Sequence, residues 1–273
     1  MQNVLDPSLL IAQGRGSTQS GAVARIRIGT AGWSVPKGQA APCPVVGSHL
    51  ERYGAVLNAV EINSSFYRPY RTATYERWAA SVPEDFCFAV KVPKAITHER
   101  RLMDIDDLLD RFLSEAGGLG PKLGPLLIQL PPNLSFQLGV ADRFLSELRG
   151  RVEGSIVCEP RHTSGFAPEA EALLDRLRIA RVAADPAPLP GADDPGGWRG
   201  LSYYRLHVSP RIYYSAYSPP YLAAIAEVLA SDAAAAIETW CIFDNTAVFA
   251  ATGDALTTQS LILSFQARRP DRP

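Results

Sequence analysis

The stretch Ser155–His162 reads SIVCEPRH, a short apolar run that closes in Glu159, Arg161 and His162. An apolar run of this length bounded by polar residues has the pattern of a buried strand. Charges are costly to bury unless they are paired. A strand ending in a carboxylate, a guanidinium and an imidazole therefore carries either a satisfied ion cluster or part of a site. Side chains alternate faces along a strand, so Glu159 and Arg161 share one face while Cys158 and Pro160 take the other.

The same design recurs along the chain. Eight apolar or β-branched runs stand at 25–33, 59–67, 86–93, 124–132, 155–162, 181–186, 201–208 and 239–245. Amphipathic segments lie between them. The segment 48–59 puts Leu50, Tyr53, Val56 and Leu57 on one helical face, and 72–82 begins at a Thr suited to a cap. The segment 104–118 ends in glycines suited to a C-cap, and 168–178 starts with Pro at a first turn. Two further helical patterns cover 218–231 and 257–268. Strands alternating with helices predict βαβ units and a parallel sheet. Eight units in a chain of this length match a TIM-barrel-like (β/α)8 single domain. The unit after the sixth run is irregular, because DPAPLPGADDPGGWRG (185–200) is too rich in Pro and Gly for a helix. A doubly wound open sheet is the alternative fold, but GTAGWS (29–34) lacks the Gly-x-Gly-x-x-Gly phosphate loop expected after its first strand.

These boundaries predict a flexible leader over 1–24, one domain over 25–266 and a tail over 267–273. The leader has no basic segment followed by an apolar one, and no apolar stretch approaches the ~20 residues that span a bilayer. A cytoplasmic protein is expected, with no membrane partner. Cys43, Cys87, Cys158 and Cys241 are widely spaced with no Cys-x-x-Cys pair, the usage of free thiols in a reducing compartment. The formal net charge of -1 gives no overall field to recruit nucleic acid.

Active sites of barrels of this kind sit at the C-terminal ends of the strands, and polar residues collect there. Glu61 and Asn63 close the second run, Lys91 the third, Gln129 the fourth, and Glu159, Arg161 and His162 the fifth. Asp185 closes the sixth, Arg205 and His207 the seventh, Asp244 and Asn245 the eighth. Parity pairs Glu61 with Asn63 and Arg205 with His207, as it pairs Glu159 with Arg161. One such charge is a salt bridge or a loop anchor; a ring of them predicts a polar pocket.

In the segments IRIGTAGWS, VEINSSFYR, FAVKVPKAITHERRL, GPLLIQLPPN, CEPRHTSGF, YYRLHVSP and CIFDNTA the chain resembles the YecE-like proteins, domain-of-unknown-function family 72. The resemblance spans about residues 25–260 and implies a TIM-barrel-like fold, without implying a reaction. It places the family's recurrent polar positions on Glu61, Asn63, Lys91, His98, Gln129, Glu159, Arg161, His162, Arg205, His207, Asp244 and Asn245, and its aromatics on Trp33, Phe66 and Tyr67. The chain departs from the family pattern at Val35, Pro160 and Thr163–Gly165.

The expected chemistry is acid–base catalysis, without a redox cofactor or metal, on a small phosphorylated or carboxylated substrate such as a sugar phosphate. Arg161 and Arg205 supply forked donors for such an anion. Asn63, Gln129, Asp244, Asn245, Trp33, Tyr67 and His98 complete the expected binding set. Glu159 and Glu61 are the candidate acid and base, with His162 or His207 taking the acid role if nearby cations hold the carboxylates ionised. Lys91 is a candidate Schiff-base amine, against the plainer reading of an ion pair with Glu61 or Glu159. One alternative is a divalent-metal hydrolase or isomerase built on Glu159, Asp185, His207 and Asp244. A second is binding without turnover, in which SSFYRPYR (64–71) and YYSAYS (213–218) stack bases or ligand rings.

Overall fold

The computed structural model describes residues 24–39, 42–208 and 211–267. The leader expected over 1–24 and the tail over 267–273 lie outside these residues, save for Ala24 and Ala267.

Each apolar run contributes to a strand shorter than its sequence pattern, and Glu61, Lys91, Gln129, Glu159, Asp185 and Arg205 remain paired within the ladders. The strands are β1 (Ile26–Thr30), β2 (Ala59–Ile62), β3 (Cys87–Lys91), β4 (Leu123–Gln129), β5 (Ile156–Glu159), β6 (Ile179–Arg181), β7 (Ala183–Asp185), β8 (Gly196–Gly197), β9 (Leu201–Leu206) and β10 (Glu238–Phe243). One sheet has the order β1-β10-β9-β7 and the other β2-β3-β4-β5-β6-β8; every pairing is parallel except that of β8 with β6. The two sheets meet in two places. Ala31 bridges Glu61, with Gly32 N–H donating to Glu61 O at 2.9 Å. At Val182 the chain passes from β6, paired with β5, directly into β7, paired with β9. The sixth expected run, 181–186, therefore holds only the last residue of β6, Arg181, together with the whole of β7, and so touches both sheets.

Helices α1 (His49–Gly54), α2 (Thr72–Ala80), α3 (Asp106–Ala116), α4 (Leu138–Arg151), α5 (Pro168–Arg176), α6 (Pro219–Ala234) and α7 (Ala250–Ala267) fill the connections. The result is a TIM-barrel-like α/β fold, and no helix separates β7 from β9 among the described residues. Pro168 opens α5 as its spacing predicts. Three local expectations change. Arg71 rather than a Thr side chain precedes α2, and no side chain caps that helix. Gly117 after α3 keeps right-handed helical angles, because the chain continues into a 3-10 turn, Gly117–Lys122. Helix α4 is an addition to the segments singled out by apolar spacing; its Ala141, Phe144, Leu145 and Leu148 are buried.

Strand parity divides the core in two. Ile28, Val60, Val90, Ile128, Cys158 and Phe243 face helix residues such as Leu109, Phe144, Leu174 and Leu229. The opposite faces of both sheets share a smaller cluster of Ala31, Ala59, Ala89, Leu127, Val157, Ala180, Tyr203, Trp240 and Ile242. The alanines leave room for the stacked rings of Tyr203 and Trp240, whose centroids lie 6.1 Å apart. Two glycines permit close approach. A Cβ on Gly29 would lie 2.1 Å from Ala59 O, and one on Gly124 would lie 2.6 Å from the Trp240 ring. All four cysteines are free thiols. Among the described residues no helix is long and apolar enough to cross a membrane.

Candidate functional site

Moving toward the C-terminal ends of the strands, the inner face changes from apolar to charged. Directly beyond the layer of Ala89, Leu127, Val157 and Tyr203, parity brings Glu61, Lys91, Gln129, Glu159, Arg205, His207 and Asp244 to that same face. The network centres on Arg205, which is buried at 1% exposure among three carboxylates. Its Nε donates to Glu61 Oε2 at 3.0 Å and its Nη2 to Glu61 Oε1 at 2.8 Å. Nη2 also lies 2.9 Å from Asp244 Oδ2, while Nη1 reaches Glu159 Oε2 at 3.2 Å and His207 Nε2 at 3.3 Å. All five guanidinium N–H groups thus have a protein partner, and Arg205 has no donor left over for a ligand.

Glu159 and Glu61 are equally engaged. Glu159 Oε2 also accepts from Gln129 Nε2 at 2.9 Å, and Oε1 lies 2.8 Å from Arg161 Nε and 3.2 Å from His207 Nε2. Tyr203 OH donates to Glu61 Oε2 at 3.0 Å. Burial pushes the Glu159 carboxyl upward, but the Arg161 and Arg205 guanidiniums, with His207, outweigh it and hold the group well below the carboxylate range. Asp244 is held low in the same way, burial being outweighed by Arg205, His207 and Lys91. Burial of Arg205 is in turn outweighed by Asp244, Glu61 and Glu159, so its charge is fixed. The Arg205 side chain bridges Glu61 and Glu159, in the space an acid–base pair of carboxylates would need for a scissile bond.

His207, fully buried, has Nδ1 3.0 Å from Asp244 Oδ2. Arg161 Nη2 lies 3.0 Å from its Nε2. With the proton on Nδ1 facing Asp244, Nε2 is an acceptor for the two arginines; with both nitrogens protonated, Nε2 faces Glu159. The Tyr213 ring meets the imidazole edge-on at 5.5 Å. Arg161 is the network's outlet: its side chain is 23% exposed, against 0–6% for Glu159, Glu61, Arg205, His207 and Asp244.

Lys91 does not form the ion pair that its neighbours offered. Among the described residues its Nζ has no hydrogen bond and no carboxylate within 4.0 Å, and it lies 4.3 Å over the Phe66 ring. The side chain is buried. Burial and the Arg205 charge lower its pKa to about 8, against a partial offset from Glu61, Glu159 and Asp244. Phe66 meets both Tyr67 and His98 edge-on, at 4.9 and 4.8 Å. Burial, then Lys91, lowers the His98 pKa. Trp33, Asn63 and the exposed Tyr67 line a cavity of about 430 Å³ at the ends of β1 and β2, with Trp33 packed on Trp78. The Asn63 Oδ1 is buried there without a hydrogen-bond partner.

Two expected site residues are tied into local structure. His162 caps the 3-10 turn Thr163–Phe166, its Nδ1 accepting from Ser164 N–H at 3.2 Å. Asn245 is fully buried and donates to Ser215 O at 2.9 Å and Asp254 Oδ2 at 2.7 Å. It belongs to a second polar cluster, in which Tyr217 N–H donates to Asp254 Oδ2 and Tyr217 OH to Asp185 Oδ2, at 3.1 and 2.5 Å. Burial raises the Asp254 pKa despite these donors. This cluster ties the loop after β9 to α7. It also takes Asp185 out of the metal set: no three His, Cys, Asp or Glu among the described residues are placed to hold an ion. Arg205 fills the space between the carboxylates. In SSFYRPYR, Tyr70 packs on Tyr75 and Trp78, so it is no free stacking platform. Tyr203 and Asp254 were not singled out from the sequence, and Tyr217, expected in the stacking patch 213–218, instead bonds Asp185 and Asp254. Parity with Arg205 marks Tyr203, and Asp254 is the one charged residue of α7.

The family model described as "Protein of unknown function DUF72" matches residues 27–272. UPF0759 protein YecE of Escherichia coli (strain K12) is 32% identical over 173 residues, 61% of each chain. UPF0759 protein YunF of Bacillus subtilis is 30% identical over 113 residues, 39% of this chain and 40% of that one. The matches thus span about three fifths or less of these relatives' length. A crystal structure of a DUF72 family protein from Enterococcus faecalis superposes with a TM-score of 0.73 at 20% identity, covering 88% of this chain and 96% of that one. One from Thermotoga maritima gives 0.70 at 23% identity, covering 87% and 99%. At these identities the two structures speak for the fold alone, and it is the match of the family model along nearly the whole domain that assigns the chain: it belongs to the DUF72 family.

Proposed function

We propose that the strand ends form a pocket for a small anionic substrate, such as a sugar phosphate, on which His207 acts as the acid–base group. The observation that carries this reading is Arg161. It is the partly exposed cation of a buried network, and it lies 3.0 Å from His207 Nε2. An incoming phosphate or carboxylate competes for the Arg161 fork, for which charge-assisted bidentate contacts are strong. As the guanidinium turns to the anion, it gives up the shortest of the three contacts at His207 Nε2, leaving Glu159 Oε1 at 3.2 Å and Arg205 Nη1 at 3.3 Å, and brings the anion to that side of the ring. Asp244 at Nδ1 steadies the ring and the imidazolium it becomes on taking a proton. Glu159, Glu61 and Arg205 are positioning residues in this reading: their charges are fixed and their hydrogen-bonding capacity is spent on each other.

The test is proton exchange in heavy water. Wild-type protein, incubated with a panel of aldose and ketose phosphates, is expected to wash deuterium into carbon adjacent to the carbonyl of at least one of them. His207→Asn should lose exchange while Arg161→Met loses it through a raised KM. Equal exchange by wild type and His207→Asn would end the reading.

A further inference from the structure

The chain has four lysines, and three are accounted for. Lys37 is exposed, Lys94 pairs with Glu99 at 3.0 Å, and Lys122 donates to the carbonyls of Ala79 and Val82. Lys91 is unlike these. It is 5% exposed, ends β3 on the inner face, and has an aromatic ring rather than an anion beside its amine. A charge-balancing lysine is placed within reach of a carboxylate. Glu61 is on the adjacent strand, and its oxygens are filled by Arg205 and Tyr203 instead.

We propose that Lys91 is a covalent carbonyl-binding site: its Nζ condenses with the aldehyde or ketone of the small anionic substrate to form a Schiff base. This rests on the anion-pocket reading above for what holds the substrate, and it narrows the substrate to a carbonyl compound. The neutral amine's lone pair forms the C–N bond, and the carbonyl π pair moves to oxygen. Both amine protons leave with that oxygen as water, giving the imine. Burial against the Phe66 ring and the nearby Arg205 charge keep a share of the amine neutral near pH 8, the state the attack requires. Arg205 is also what spares Lys91 from pairing, because it satisfies the three carboxylates first.

The experiment is reductive trapping with glycolaldehyde phosphate as the probe. Borohydride delivers hydride to the imine carbon, nitrogen takes a proton, and the secondary amine is located by peptide mapping. At neutral pH label on Lys91 is expected to exceed that on exposed Lys37 by about tenfold or more, since an ordinary lysine is almost wholly protonated there. The trapping rate should rise with pH through about 8, and excess inorganic phosphate should suppress it. Lys91→Arg, which keeps the charge, should lose the label. If that variant does not fold, the map of the wild type decides, since four lysines are easily told apart. Label spread over Lys37, Lys94 and Lys122 with Lys91 bare, in protein that still binds phosphate, overturns the covalent site and leaves the anion pocket standing. Label on Lys91 that phosphate does not suppress keeps the carbonyl site and removes the anion clamp. Failure of both trapping and phosphate binding overturns both.

Discussion

Arg205 and Glu61 meet edge to edge: Nη2 lies 2.8 Å from Oε1 and Nε 3.0 Å from Oε2, with both side chains at 0–1% exposure. This two-point contact joins β9 to β2, strands of different sheets, and the remaining donors of Arg205 join β5 and β10 to it. Removing one partner of a buried pair leaves the other charged and unmatched, at a cost of about 3–5 kcal/mol. Arg205→Met is therefore expected to lower stability to chemical denaturation by that order. Arg161→Met, whose side chain is partly in water, should cost much less.

The carboxylates set the acid limb of stability. The folded Glu159 and Asp244 groups have pKa values below their unfolded ones, so between the two the unfolded chain binds more protons. Their contribution is present above the ordinary carboxylate range and lost as pH falls through the folded values. Unfolding free energy measured from pH 6 downward should fall steeply below about 4.5, the value from which Glu159 is depressed. Glu159→Gln should flatten that slope.

Lys91 works in the opposite direction at neutral pH. Its folded pKa of about 8 lies below the ordinary 10.5, so stability rises as pH climbs between those values. Below pH 8 the buried charge costs stability. Lys91→Met is expected to raise the melting temperature at pH 7, by an amount equivalent to at most about 3 kcal/mol. The advantage should shrink toward pH 10. A variant less stable than wild type at pH 7 would show that the ammonium is stabilised where it lies.

Gly124 gives a check on the inner core. A Cβ there would sit 2.6 Å from the Trp240 ring, which is stacked on Tyr203, the residue that holds Glu61. Gly124→Ala should cost about 1–3 kcal/mol by overpacking. The near-ultraviolet dichroism of the stacked rings should change with it.

Strand parity made much of this site legible in advance. It brought Glu159, Arg161, Glu61, Arg205 and His207 to one face and marked SIVCEPRH as central. It could not say which groups would pair, because pairing depends on the register between strands and on side-chain rotamers. Glu61 and Glu159 read equally well as an acid–base couple until Arg205 is seen bridging them. His162 and Asn245 carried the right chemistry at the right ends, but one turns back to cap the next turn and the other reaches Asp254 on α7. The sixth run, read as starting at Arg181, missed Ile179 and Ala180, because the chain pairs with β5 up to Arg181 and with β9 from Ala183. That exchange between sheets leaves no periodic signal in the sequence.

Arg161 is the open end of an otherwise buried charge network, and calorimetric titration with inorganic phosphate at pH 7 asks whether that end holds an anion. Wild type is expected to bind one equivalent, weakened by added salt, and Arg161→Met to lose about tenfold or more in affinity as a charge-assisted fork is removed. Equal affinity in the two proteins, or no phosphate binding by the wild type, would mean that Arg161 does not clamp an anion.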